Sequence, residues 1–137
     1  MVYTVVLDTN VLVSGSIVAH GNPAFILDSW RNEKVQIITS LEILAEFQRV
    51  MMEKFNAPQN EVEVLNAFFI WKGKVVEPKR KFNVIKEDPS DNKFLEVAIE
   101  GKADYIVSGD KDLLRIKNFM GIEIISPAEM ASILKKQ

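Results

Sequence analysis

Short apolar, β-rich runs alternate with segments of helical periodicity along this 137-residue chain, and no other feature constrains the fold so tightly. Val2 to Leu7 is apolar and rich in β-branched residues, and reads as a buried strand. Val35 to Thr39, Asp104 to Val107 and Ile122 to Ile125 repeat the pattern, and Val75-Val76 is a shorter candidate. Between them lie helical patterns. Ala24 to Asn32 is one. Ser40 is a good N-cap, followed at helical spacing by Leu41, Leu44, Phe47, Val50 and Met51. Gln59 to Lys72 places Val62, Leu65, Phe68 and Phe69 on one side and stops at Gly73. Asn92 to Glu100 carries Phe94, Leu95, Ala98 and Ile99 and ends at Gly101. Ser126-Pro127-Ala128-Glu129 opens the last helix with a cap, a proline at the first helical position and a capping box. Thr9 or Asn10 caps a short helix after the first strand, and His20-Gly21-Asn22-Pro23 is a loop. Glu77 to Asp91 is polar and basic, with prolines at 78 and 89. The whole reads as an α/β domain whose mostly parallel sheet is covered on both faces.

Composition narrows the class. Hydrophobic residues at 47% and charged residues at 26% suit a folded, soluble domain rather than a disordered chain. The longest apolar runs are too short to span a bilayer. MVYTVVLDTN lacks a basic n-region and makes a poor signal peptide. Cysteine is absent, which excludes disulfides and thiolate metal sites. The expected compartment is the cytoplasm, with no membrane partner. The net charge of -2 does not announce a nucleic-acid binder, but net charge says little about a local site.

Carboxylates near strand ends are the candidates for chemistry. In open α/β sheets ligands bind beyond the carboxyl ends of the strands. Asp8 closes the first strand and Asp110 follows the strand at Tyr105-Ile106-Val107. Asp91 opens the helix that leads into that strand, and Glu46 lies in the helix capped by Ser40. Topology alone carries all of them to one edge. Each also has an ordinary structural reading. Asp8 and Asp110 suit helix caps, Asp91 suits a first helical turn, Glu46 suits a solvated face, and Asp88 suits the Asp-Pro turn. Together they have a consequence that none has alone. Crowded carboxylates raise one another's pKa, and a cation removes that penalty. An all-oxygen ligand set suits Mg²⁺ or Mn²⁺, and its natural chemistry is phosphoryl transfer. His20, in its loop, reads as structural or exposed. No P-loop, G-x-G-x-x-G or G-x-S-x-G is present.

LDTNVLVSG, SLEILAEFQRVM, DPSDNKFLEVAIEGKADYIVSGD and the following KDLL, in that order, resemble the PIN domain. More narrowly they resemble the toxin components of toxin–antitoxin systems, the VapC-like ribonucleases. The resemblance covers nearly the whole chain. It implies a single PIN-like nuclease domain over residues 1–137, a three-layer α/β/α sandwich, and a Mg²⁺- or Mn²⁺-dependent endoribonuclease. The family's acids match Asp8, Glu46, Asp91 and Asp110. Asp8, Asp91 and Asp110 are then direct metal ligands, and Glu46 binds or orients a metal or its water. Asp112 matches a further acidic position, and Asn10 and Ser108 match polar positions of the cleft. The implied partners are RNA, an antitoxin protein and a second copy of the chain. Phe68-Phe69-Ile70-Trp71 would supply the dimer interface unless it is simply core.

Two basic segments are candidates for holding RNA. Lys111, Arg115 and Lys117 follow Asp110 directly. Lys72, Lys74, Lys79, Arg80, Lys81 and Lys86 lie near Trp71 and Phe82, whose rings suit base stacking. Other functions stay open at this point. One is a small phosphatase or phosphoacceptor with Asp8 as nucleophile, which Asn10 disfavours because such enzymes usually carry an acid there. Another is a non-catalytic module that binds RNA or protein.

Overall fold

The computed structural model describes residues 2–137. Its sheet has six strands: β1 (Tyr3–Leu7), β2 (Val35–Thr39), β3 (Lys74–Val75), β4 (Tyr105–Val107), β5 (Asn118–Phe119) and β6 (Ile122–Ile125), in the order β3-β2-β1-β4-β6-β5. All pairings are parallel except β5 with β6. The helices are α1 (Thr9–Ile17), α2 (Asn22–Arg31), α3 (Leu41–Phe55), α4 (Gln59–Lys72), α5 (Asn92–Gly101), α6 (Lys111–Leu114) and α7 (Pro127–Lys135). Successive residues Val5, Val6 and Leu7 of the central strand are all buried. A strand buried on both faces requires helices on both, as in three-layer α/β/α folds. No helix among the described residues is long and apolar enough to cross a membrane.

The core is built by a few large contacts. Trp30 of α2 stacks on Phe69 of α4 at 5.3 Å between ring centres, and Phe47 of α3 meets Phe69 edge to face. These rings draw three helices together around one hydrophobic cluster. Gly101 allows α5 to approach β2, because a Cβ there would lie 2.4 Å from Ile38 Cγ2.

Several local expectations are corrected. The cap of α1 is Asp8, not Thr9 or Asn10: its Oδ1 accepts from the Val11 N–H at 2.9 Å. α2 begins at Asn22 rather than Ala24, with Pro23 in its first turn, where a missing N–H costs nothing. Leu41 is 64% exposed, and the buried side of α3 runs instead through Ile43, Leu44, Phe47, Val50 and Met51. α5 ends at Gly101 as expected, and the left-handed position falls on the next residue, Lys102, at φ 56°. The short strand near Val75 begins one residue earlier, at Lys74. β5, the 3₁₀ turn Pro89–Asp91 and α6 carry no periodicity long enough to read.

The segment from Lys79 to Asp91 contains almost no regular structure, yet it is fixed in place. Asn92 makes the closest attachment. Its Oδ1 accepts from the Val84 and Ile85 N–H groups at 3.0 Å, and its Nδ2 donates to the Ile85 and Pro89 carbonyls at 2.9 Å. Further along α5, Glu96 accepts from the Phe82 N–H and Glu100 from the Lys79 N–H. Residues 92, 96 and 100 share one helix face, so α5 holds the loop as a ladder. Ile85 is buried beneath it.

Candidate active site

β1 lies between β2 and β4. The chain therefore departs to opposite sides of β1, which makes its carboxyl edge a topological switch point, where open α/β sheets form a crevice. A cleft of about 300 Å³ opens there. Asp8, Asn10, Glu46, Asp91 and Asp110 line it, joined by Thr9, Arg49, Val50, Lys54, Asp88, Ser90 and Phe94.

Strand register positions the first pair of acids. Leu7 pairs with Val107, and the Asp8 N–H donates to the Val107 carbonyl at 3.0 Å. Asp8 thus leaves the sheet beside Ser108. Ser108 is wholly buried. Its hydroxyl donates to Asp8 Oδ2 and accepts from the Asp110 N–H at 2.9 Å. One serine therefore joins the ends of both strands. Burial pushes the Asp8 carboxyl above its ordinary range, and the Asp110 charge adds to the effect against the hydrogen bonds from Ser108 and Val11.

Side chains position the second group. Asp91 sits where the 3₁₀ turn meets α5, under the loop that Asn92 fastens. Burial pushes its carboxyl up to about 7, helped by a hydrogen bond with Asp110 and by the charges of Asp88 and Asp110. Glu46 reaches in from α3. Its Oε1 accepts from the Thr9 hydroxyl and lies 3.2 Å from Lys93 Nζ, and its Oε2 lies 3.8 Å from Arg49.

The remaining expected residues divide. Asp112 does not line the cleft; it pairs with Arg115 at 3.1 Å. Arg115 also faces Glu87 at 3.8 Å, whereas Lys111 makes no ion pair among the described residues. Phe82 packs edge to face with Phe119, and Arg80 lies over its ring. Trp71 is 78% exposed, Ile70 is also exposed, and Phe69 belongs to the core. His20 lines a separate hollow with Lys135. Thr9, Arg49, Lys54, Ser90 and Lys93 escape sequence reasoning. Arg49 and Lys54 carry a readable signal, since they follow Glu46 at three and eight residues on one helix face.

The donors suit a hard divalent cation: they are carboxylate oxygens, and burial and mutual charge push two of the acids above their ordinary range. Among the described residues no three acids already enclose one point tightly enough to hold an ion. Closing round a cation would need side-chain rotation of the acids.

Comparison with known proteins bears on the fold and the family. The chain is 36% identical over 118 residues to an uncharacterized protein of Methanocaldococcus jannaschii, covering 83% of this chain and 75% of that protein. Its fold is similar to the crystal structure of PAE2754 from Pyrobaculum aerophilum, with a TM-score of 0.63 and 16% identity over 99% of this chain and 91% of the other. It is also similar to VapBC2 from Rickettsia felis bound to a DNA fragment from its promoter, with a TM-score of 0.62 and 15% identity over 90% of this chain and 98% of the other. The family model for the PIN domain matches residues 4–112, which span every acid of the cleft. On that match, the chain belongs to the PIN domain family.

Proposed function

We propose that the chain is a single-domain, Mg²⁺- or Mn²⁺-dependent endoribonuclease and the toxin of a toxin–antitoxin pair. PIN domains are in general nucleases. The observation that carries the finer reading is the gathering of Asp8, Asp91 and Asp110 at one switch point, close enough that Asp110 pushes both other carboxyls upward. The toxin reading is supported by likeness of fold to VapBC2, and the expected location is the cytoplasm.

Asp8, Asp91 and Asp110 would hold the cation, and Glu46 would bind or orient it or the attacking water. When bound, the cation supplies a more acidic water and neutralises charge at the phosphate. Ser108 keeps Asp8 aimed, and Asn10 lines the cleft from an exposed position. Arg49 and Lys54 on the rim are placed for phosphates flanking the cut, and Lys111 and Arg115 extend the basic path beyond Asp110. Asp112 supports this path by orienting Arg115. Ile70 and Trp71 are among the exposed apolar residues that a second copy or an antitoxin would contact.

The test is incubation with a mixed pool of end-labelled RNA in Mn²⁺ or Mg²⁺, then in excess chelator, with Asp110→Asn alongside. Internal cuts that require metal and vanish in the variant are expected. Folded wild-type protein that binds RNA but never cuts it would transfer the cleft to a binding role.

A further inference from the structure

Lys93 of α5 is a charged side chain with only 6% exposure, set behind the cleft beside Glu46. Its Nζ donates to the Ser90 carbonyl at 2.9 Å, lies 3.2 Å from Glu46 Oε1 and stands 4.8 Å from the Phe94 ring centre. An ammonium is buried at this depth only when paired and hydrogen-bonded. An apolar pair in place of Lys93 and Glu46 would join α3 to α5 about as well, so the charge itself calls for an explanation. Glu46 is correspondingly saturated. One oxygen meets Lys93 and the Thr9 hydroxyl, and the other faces Arg49. Asp8, Asp91 and Asp110, by contrast, make no ion pair among the described residues. Glu46 is thus paired directly, whereas Asp91 feels the Lys93 charge without a direct ion pair, more weakly than it feels Asp88 and Asp110.

We propose that Lys93 is a built-in cation that fastens Glu46 and occupies the place a second divalent ion would take. The cleft then holds one divalent cation, on Asp8, Asp91 and Asp110. Glu46 is a positioning residue that faces the attacking water and does not ligate the ion. The inference rests on the metal-dependent reading above and deepens it. A second dication beside Glu46 would stand against an ammonium already 3.2 Å from the ligating oxygen, and that ammonium is itself almost wholly out of water.

The test is titration of chelator-stripped protein with Mn²⁺, following loss of the free-ion paramagnetic resonance signal, for wild type, Lys93→Met and Asp91→Asn. Circular dichroism checks that each is folded. One equivalent is expected for wild type and two for Lys93→Met, with binding weakened at least about thirtyfold in Asp91→Asn. Two equivalents in wild type, or one in both wild type and Lys93→Met, would overturn the proposal and leave the metal reading standing. No retention by any variant would bring down the metal reading and the proposal with it. If Lys93→Met does not fold, Glu46→Gln decides. Mn²⁺ affinity within about threefold of wild type is expected, and a loss of tenfold or more would make Glu46 a direct ligand.

Discussion

The two sides of the cleft are built by different means. On one side Asp8 and Asp110 leave adjacent parallel strands, and backbone register with one buried serine is enough to set them. On the other side Asp91 and Glu46 hang on side-chain contacts: the Asn92 ladder under the loop and the Lys93 link between α3 and α5. Register is shared over a whole sheet and tolerates local change. A ladder of individual side chains does not. The sheet side should therefore lose chemistry without losing structure when its acids are altered, whereas the loop side should lose both when its supports are altered.

The largest effect expected is on chemistry. Asp110→Asn should lower cleavage by about 10²–10³-fold through lost cation binding, with an unchanged circular dichroism spectrum. Asp8→Asn should do the same and keep the α1 cap, because its amide oxygen can still accept from Val11. Asp8→Ala should in addition cost about 1–2 kcal/mol of stability in urea. Equal stability of the two Asp8 variants would show that the cap is idle.

Next is the ladder. Asn92→Ala strands several loop N–H and C=O groups and should cost about 2–4 kcal/mol. Cleavage should fall with it as Asp91 loses its seat. Full cleavage in a destabilised Asn92→Ala would place the control of Asp91 elsewhere.

A pH series in chelator separates the sides further. The folded Asp91 pKa is raised from 3.8 to about 7, so between those values the folded protein binds more protons than the unfolded chain. Stability must then fall as pH rises from 3.8 to about 7 and level off above. Asp8 acts in the same direction. A melting temperature lower at pH 7.5 than at pH 5 is expected, and Asp91→Asn should flatten most of the slope. A slope unchanged in that variant would assign it to Asp8 or to groups outside the cleft.

The smallest effect lies beyond the cleft. Lys111→Gln and Arg115→Gln should each reduce the slope of log affinity against log salt for single-stranded RNA by about 0.7. Arg115 should contribute less if its pairs with Asp112 and Glu87 persist. An unchanged slope in both would remove this path.

The same contrast explains what was legible in the sequence. Strand and helix alternation exposed the sheet, and acids at strand ends follow from it, so Asp8 and Asp110 were readable from periodicity and topology. Topology brought Glu46 and Asp91 to the same edge, and the family resemblance matched all four acids to one site. Lys93 was not readable, because its burial depends on how α5 packs against α3, and a lysine in an amphipathic helix ordinarily reads as solvated. The ladder was hidden for a similar reason. Asn92, Glu96 and Glu100 look like a polar helix face, and nothing local shows that an irregular segment lies across them. Leu41 erred the other way: an apolar residue in phase with the helix, yet facing out at its first turn.

The most direct test of the account measures metal affinity and cleavage on the same preparations. Mn²⁺ binding at pH 7.5 and the rate of RNA cleavage would be compared in wild type and Asp91→Asn. The account predicts that both fall together, affinity by at least about thirtyfold, in a variant that remains folded. Cleavage that persists after Mn²⁺ affinity is lost would contradict it and place the chemistry outside this cleft.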